Sequence, residues 1–365
     1  MGSLNRGGAE TLVLDALRHS EYSESDRIIV YRKDGDLTDA YRDTDVPMFR
    51  IDLSSGKLSY IKKLRHFLQS EKVNVLHTQT HLNAFLGVLI TAFTGIKLVV
   101  TYHGFTPSLT DRIFTKFAVW FADASVFVSS YLRDWYVKRT PFAPKSRCHV
   151  IYNGVDFSKL CVKYPAPGFL QAENAGQKKG IDMVMVGNFS SGRSQLFLCQ
   201  ALKALKDNYD CQSRFFFIGK KSNAEPEVYD DCVDFCRKNG LLDEYVFFPG
   251  GRSDVPAILQ HVDAFVYSTN RDTFGIAVIE AIAAGLPTLV NDWAVMKEVT
   301  DNGELATLFR TRDIDDCASK MAELIRNIDA RKLKAKELAK TVRQRFSIEN
   351  HIRNLDAVYK SVLAK

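Results

Sequence analysis

The sequence predicts an α/β protein of two doubly wound domains in tandem, and three observations predict it. A chain of 365 residues, 46% hydrophobic, is too long for one compact core and too apolar to be disordered. Short apolar runs alternate with amphipathic helical stretches almost without interruption, the pattern of parallel strands joined by crossover helices. That alternation lapses once, in a stretch rich in Pro, Gly and polar residues at 160–180, and then restarts.

In the first half, strands are expected at 27–31, 47–53, 73–78, 97–103, 125–128 and 149–152, with helices such as 58–70 and 83–94 between them. The lapse reads as a hinge. Strands resume at 182–186, 214–219, 245–249, 264–268 and 287–291, and the chain is helical after 313. Near the end, Ser347 is placed to cap a helix whose apolar residues are Ile348, Ile352, Leu355, Val358 and Val362. Two such domains place ligands in the cleft that the carboxyl ends of both strand sets face.

Net charge is +6, distributed as +5 over 1–160, −6 over 161–325 and +7 over 326–365. A basic first half and tail suit an anionic membrane or substrate. Without aromatic and basic residues interleaved, nucleic acid is not an expected partner. The seven cysteines are odd in number and form no C-x-x-C pair, which fits a reducing cytoplasm; Cys232 and Cys236, four apart, read as buried thiols rather than metal ligands. Residues 1–10 lack signal-peptide character, and the longest apolar run, 84–96, is too short to span a bilayer.

The most informative segment is 268–287. It leaves a strand, breaks into a polar loop with Asp272, opens a helix near Gly275 and ends that helix at Gly285. Amides at Phe274, Gly275 and Ile276, together with the helix dipole, form an anion site, and Gly275 lets the anion approach closely. Glu280 lies eight residues after Asp272. Two acids flanking a diphosphate are suited to hydroxyl groups on either side of it, such as those of a sugar and a ribose.

Here the residues resemble a family. Acid, seven residues, acid, with Phe-Gly inside and Glu-Ala-x-Ala-x-Gly-x-Pro following, is similar to the donor-binding signature of the family 4 retaining glycosyltransferases. Gly7-Gly8-Ala9-Glu10 resembles that family's amino-terminal glycine loop, and Thr101-Tyr102-His103-Gly104 its His-Gly segment. Ile151-Tyr152-Asn153-Gly154-Val155-Asp156 is similar to its interdomain segment, and Val186-Gly187 to its second phosphate loop.

The resemblance implies the GT-B fold, two Rossmann-like domains facing a cleft: 1–160 with 347–365 on the acceptor side, and 161–346 for the nucleotide sugar. The last helix would cross back to the first domain. It implies that Glu280 binds ribose hydroxyls, Asp272 the donor sugar, the amides of 274–276 the diphosphate, and His103 the sugar near its reacting carbon. Gly7, Gly8 and Gly187 would let backbone approach phosphate. Where the family has Arg and then Lys, this chain has Asn188 and Arg193, so Arg193 would carry the charge stabilisation, helped by Lys220 or Arg252. His77 and His81 would contact the acceptor.

No metal or other cofactor is expected. The Asp-x-Asp spacing Asp34-Gly35-Asp36 reads as a turn. With no nucleophile at hand, the implied route is front-face displacement, in which the leaving phosphate takes the acceptor's proton. The implied partners are a nucleotide-diphosphate sugar, a glycan or lipid-diphosphate acceptor, and an anionic membrane surface met by 112–121 at the cytoplasmic face. A non-catalytic nucleotide-sugar-binding or scaffold partner is the alternative, and a sugar-nucleotide epimerase a lesser one. Nucleobase, sugar and acceptor stay open. The family places a short apolar strand before its glycine loop, so about 7 to 10 residues are expected upstream of Met1.

Overall fold

A computed structural model describes residues 1–5, 7–19, 27–54, 56–106, 108–171 and 180–364. The chain divides into two compact units, Met1–Asp156 with Phe346–Lys365, and Phe157–Arg345.

The first unit runs α1 (Gly8–His19), β1 (Ile29–Tyr31), α2 (Thr38–Arg42), β2 (Met48–Arg50), α3 (Lys57–Ser70), β3 (Val75–Thr78), α4 (His81–Thr91), β4 (Lys97–Tyr102), α5 (Leu109–Phe121), β5 (Ala124–Phe127), α6 (Ser130–Arg139) and β6 (Cys148–Val150). All pairings are parallel, in a two-stranded sheet β1-β2 and a four-stranded sheet β3-β4-β5-β6. Residues 2–4 run beside the end of β1, where the Arg32 amide donates to the Gly2 carbonyl (3.1 Å) and the Leu4 amide to the Lys33 carbonyl (3.1 Å). Three helices start on a side chain that accepts an amide of the first turn: Thr80 from Asn83, Ser108 from Asp111, and Ser129 from Leu132.

The second unit holds β7 (Ile181–Val186), α7 (Gln195–Asn208), β8 (Ser213–Ile218), α8 (Pro226–Lys238), β9 (Val246–Gly250), α9 (Val255–His261), β10 (Ala264–Tyr267), α10 (Ile276–Ala283), β11 (Thr288–Asn291), α11 (Ala294–Val299), β12 (Thr307–Phe309), α12 (Ile314–Arg326) and α13 (Ile328–Arg345). Its six strands are parallel in the order β12-β11-β10-β7-β8-β9. The central strands are near-continuous apolar runs because helices cover both faces. Strand β12 was not expected from the sequence; it is three residues long, and its first two are only half-buried.

The Pro-rich stretch expected as a hinge is instead packed on the second unit. The Tyr164 amide donates to Gln260 Oε1 (3.2 Å), Phe169 meets Phe216 with ring centroids 5.5 Å apart, and Arg214 reaches the Leu170 carbonyl (3.4 Å). The polar remainder of that stretch, 172–179, lies outside the described residues.

The chain then returns to the first unit as α14 (Ile348–Leu363), capped by Ser347, whose hydroxyl accepts the Asn350 amide (3.1 Å). Val358 and Val362 join the core of Val99, Ala124, Val126 and Ile151. The Val155 and Ile348 amides lock the helix start by bonding to the Phe346 and Val155 carbonyls (2.9 and 3.1 Å). Gly154 makes this approach possible: a Cβ there would stand 2.7 Å from Ile348 Cα and from His351 Cβ.

Candidate functional site

In the second unit the chain runs outward from β7 to β8 and β9, then returns to the other side of β7 as β10. Crossovers leaving in opposite directions open a crevice at the carboxyl ends of β7 and β10, where doubly wound sheets take ligands. The loops leaving these strands, 187–194 and 268–275, carry most of the residues singled out from the sequence.

The two loops are stitched together. The Asn270 amide and the Thr269 hydroxyl both donate to the Gly192 carbonyl (3.0 and 2.9 Å). Thr269, fully buried, also accepts the Asp272 amide (3.0 Å) on its hydroxyl, and Asn291 pairs with its backbone through both side-chain atoms.

Arg193 is not a solvent-facing helix start. It turns back across Gly187, its Cδ 3.0 Å from where a Cβ at Gly187 would stand. Its Nε donates to the Tyr267 hydroxyl (3.1 Å) and its Nη1 to the Asn188 carbonyl (3.1 Å). The Tyr267 hydroxyl donates in turn to Asp272 Oδ2. Burial, reinforced by Asp272, pushes the Tyr267 phenol well above its usual range, so it stays protonated.

Gly275 caps α10 at φ 87°, in the left-handed region, and a Cβ there would stand 2.7 Å from Met296 Cε. The left-handed φ is what calls for glycine, since the Met296 methyl is the end of a flexible side chain and can shift. Phe274, 3% exposed, anchors the loop in the core. Glu280 is four residues beyond Ile276 and therefore on the same face of α10, one turn in from the helix's amino end.

The other expected donor contacts divide. Asn188 points its amide oxygen at the Lys220 amide (3.0 Å), so it braces the loop after β7 against the loop after β8. Lys220 is exposed, and its ammonium forms no ion pair among the described residues. The structure does not bring Arg252 to the Arg193 group: its guanidinium forks onto Asp254 (2.8 and 2.6 Å) and lies 5.3 Å over the Phe169 ring.

Tyr267 and Thr269 were missed from the sequence. Tyr267 ends an apolar strand, and an aromatic there reads as core. The usable signal was its place as the last strand residue before the loop.

In the first unit His103 follows β4, and its Nε2 donates to Gln79 Oε1 (2.6 Å). The Gln79 amide points back at His77 Nε2 (3.3 Å), which also receives the Thr101 hydroxyl (2.8 Å), while His77 Nδ1 pairs with the Tyr359 hydroxyl of α14 (2.7 Å). This network is satisfied with His77 protonated at Nδ1 and His103 at Nε2. Burial holds both rings neutral: His103 is pushed down to about 4 and His77 to about 3, with neighbouring histidines adding to both. His81 is also turned inward, with its Nδ1 on the Thr115 hydroxyl (3.1 Å).

Helix α1 begins at Gly8. At Gly7 the Glu10 carboxylate folds over the turn, Oε2 standing 2.5 Å from a Cβ position, so the protein's own acid lies against the glycine pair. Cys232 and Cys236 are fully buried. Among the described residues no group of three or more His, Cys, Asp or Glu is arranged to hold a metal, and no helix is long and apolar enough to cross a membrane.

The architecture is that of two Rossmann-like α/β units, the second with a basic and acidic constellation at a switch-point crevice where such sheets take ligands. The chain belongs to the family 4, group 1 glycosyltransferases: the model described as Glycosyltransferase Family 4 matches residues 6–159, and that described as Glycosyl transferases group 1 matches 180–327. The UDP-Gal:alpha-D-GlcNAc-diphosphoundecaprenol alpha-1,3-galactosyltransferase of Escherichia coli is 27% identical over 72% of this chain and 70% of that protein. The N,N'-diacetylbacillosaminyl-diphospho-undecaprenol alpha-1,3-N-acetylgalactosaminyltransferase of Campylobacter jejuni is 21% identical over 99% and 100%. Anabaena HepE in complex with UDP shares the fold at a TM-score of 0.84 and 18% identity, covering 99% of this chain and 98% of that one.

Proposed function

We propose that this glycosyltransferase moves a sugar, with retention, from a nucleoside diphosphate sugar to a glycan or lipid-diphosphate-linked acceptor. The observation that carries the reading is the switch-point crevice, where Arg193 and Asp272 are joined through Tyr267 on two stitched loops and the second loop opens into α10, the helix that carries Glu280. Arg193 and the α10 amides would hold the diphosphate, Glu280 the ribose, and Asp272 a sugar hydroxyl. Lys220, exposed in the loop after β8, would add a further cation.

These groups supply positioning and charge stabilisation without a resident metal. As the bond from the anomeric carbon to the phosphate breaks, the acceptor oxygen bonds that carbon on the same face and passes its proton to a phosphate oxygen. The test is thermal shift with UDP, GDP and ADP, then turnover of the stabilising base's sugars. Arg193→Ala should lower kcat by about 10²–10³-fold, as loss of an oxyanion donor does. Turnover should survive EDTA, and the product anomer, read by NMR, should match the donor. An inverted anomer, EDTA-sensitive turnover, or Arg193→Ala at wild-type kcat would sink the reading.

An anionic membrane surface in the cytoplasm is the further partner proposed. Of 112–121, Phe114 and Phe117 pack on Phe85, whereas Ile113 and Phe121 are 66% and 58% exposed. Phe93 and Phe142, which follow α4 and α6, have fully exposed rings at φ 60° and 56°. Arg112 and Lys138 are exposed nearby in sequence. Flotation with phosphatidylglycerol vesicles should recover the protein in low salt and release it in high salt. Equal recovery with neutral vesicles would count against the assignment.

A further inference from the structure

We propose that Tyr267 is a positioning residue of the donor crevice, its buried hydroxyl setting both the Arg193 guanidinium and the Asp272 carboxylate for a nucleoside diphosphate sugar. The inference rests on the assignment of that crevice to such a donor, and deepens it.

The argument is one of hydrogen-bond directions. A guanidinium carries five N–H donors in a rigid plane, so fixing two of them fixes where the others point. Arg193 has Nε committed to the Tyr267 hydroxyl (3.1 Å) and Nη1 to the Asn188 carbonyl (3.1 Å), both on the protein side. The Nη2 pair is left for an anion. Asp272 has Oδ2 taken by the Tyr267 hydroxyl, and its amide donates to Thr269 (3.0 Å), which leaves Oδ1 for a ligand hydroxyl.

Arg193 and Asp272 form no direct ion pair among the described residues; the phenol stands between them. That arrangement has a chemical consequence. A direct fork between arginine and aspartate would use the guanidinium edge that a phosphate needs and cancel the charge that attracts it. A neutral phenol that accepts from one and donates to the other orients both and leaves the Arg193 charge available. Tyr267 is 1% exposed, so it acts through its neighbours and not on the substrate.

Tyr267→Phe removes the oxygen and keeps the ring. Three measurements test the role, with UDP, GDP and ADP as probes. By NMR without nucleotide, the Arg193 Nε–H should exchange slowly with water in the wild type and rapidly in Y267F. Affinity for the preferred nucleoside diphosphate should fall about tenfold, the worth of a hydrogen bond to a charged group, with a further loss in kcat.

The effects of Tyr267→Phe and Asp272→Asn should also be non-additive, the double variant being no worse than the poorer single one. A merely structural tyrosine would lower the melting temperature, leave nucleotide affinity unchanged in the folded fraction, and give additive losses; that result overturns the inference. A wild type that binds none of the three nucleotides overturns the donor assignment and this role with it. Slow Nε–H exchange in Y267F would overturn the positioning alone.

Discussion

Asp182 and Arg214 pair inside the second unit with side chains 3% and 5% exposed, two nearly parallel bonds of 2.7 and 2.9 Å joining β7 to β8. Such a pair repays its desolvation only through good geometry, and removing one member strands the other. Asp182→Ala should therefore destabilise the protein by about 3–5 kcal/mol, read from the urea midpoint, while a well-packed apolar pair at both positions should cost much less. If the single variant costs under about 1 kcal/mol, water reaches Arg214. The same logic separates two cations named from the sequence: Arg252 is paired with Asp254 on an exposed loop, whereas Arg193 meets a neutral phenol and forms no ion pair among the described residues.

At the scale of elements, α14 is attached to the first unit by a close backbone approach as well as by apolar burial. A Cβ at Gly154 would stand 2.7 Å from Ile348 Cα, a backbone atom that no rotamer change can move. Gly154→Ala should displace the start of α14 and cost about 1–3 kcal/mol, as overpacking does. Hydrogen exchange should rise in α14 and around Tyr359, which bonds His77. Unchanged protection there would show that the helix start can shift freely.

The motif Asn153-Gly154-Val155-Asp156 was thus legible as a motif, but its physical reason lies about 200 positions away in sequence. Long apolar strands such as β7, β8 and β10 were readable within a residue or two because burial on both faces leaves little choice of residue. The two loops of the switch-point crevice were readable through Gly187, Arg193, Asp272 and Gly275. The Arg193 to Tyr267 bond was not, since it joins positions 74 apart and spacing carries no signal for it. The stretch 164–168 was misread because Pro and Gly mark turns whether or not the turn is packed. Phe169, which follows it and packs on Phe216, was the clue.

At the scale of the whole molecule the two units differ in how acid should act on them. The histidines held below their usual range, His77, His81, His103 and His351, all belong to the first unit, and burial is the leading cause for each. Their neighbours offer little relief: His77 faces His103, His351 and the Met1 amine, itself pushed down to about 5 by burial, and His103 faces His351 and His81. Only His81 has a favourable charge, from Asp111.

Unfolded histidines titrate near 6.5, so between that pH and the depressed folded values the unfolded chain binds more protons. The histidines' contribution to stability is therefore complete above about pH 6.5 and falls as pH drops toward about 4 for His103 and about 3 for His77. Each histidine that is protonated in the unfolded chain alone contributes a slope of about 1.4 kcal/mol per pH unit. Calorimetry between pH 7 and 5, with limited proteolysis assigning the transitions, should show the first unit's melting temperature falling faster than the second's. His77→Gln, which retains an amide donor and acceptor but no titration, should flatten that fall. Equal shifts in both units, or a His77→Gln slope matching wild type, would mean that the rings are hydrated in solution and charge at little cost.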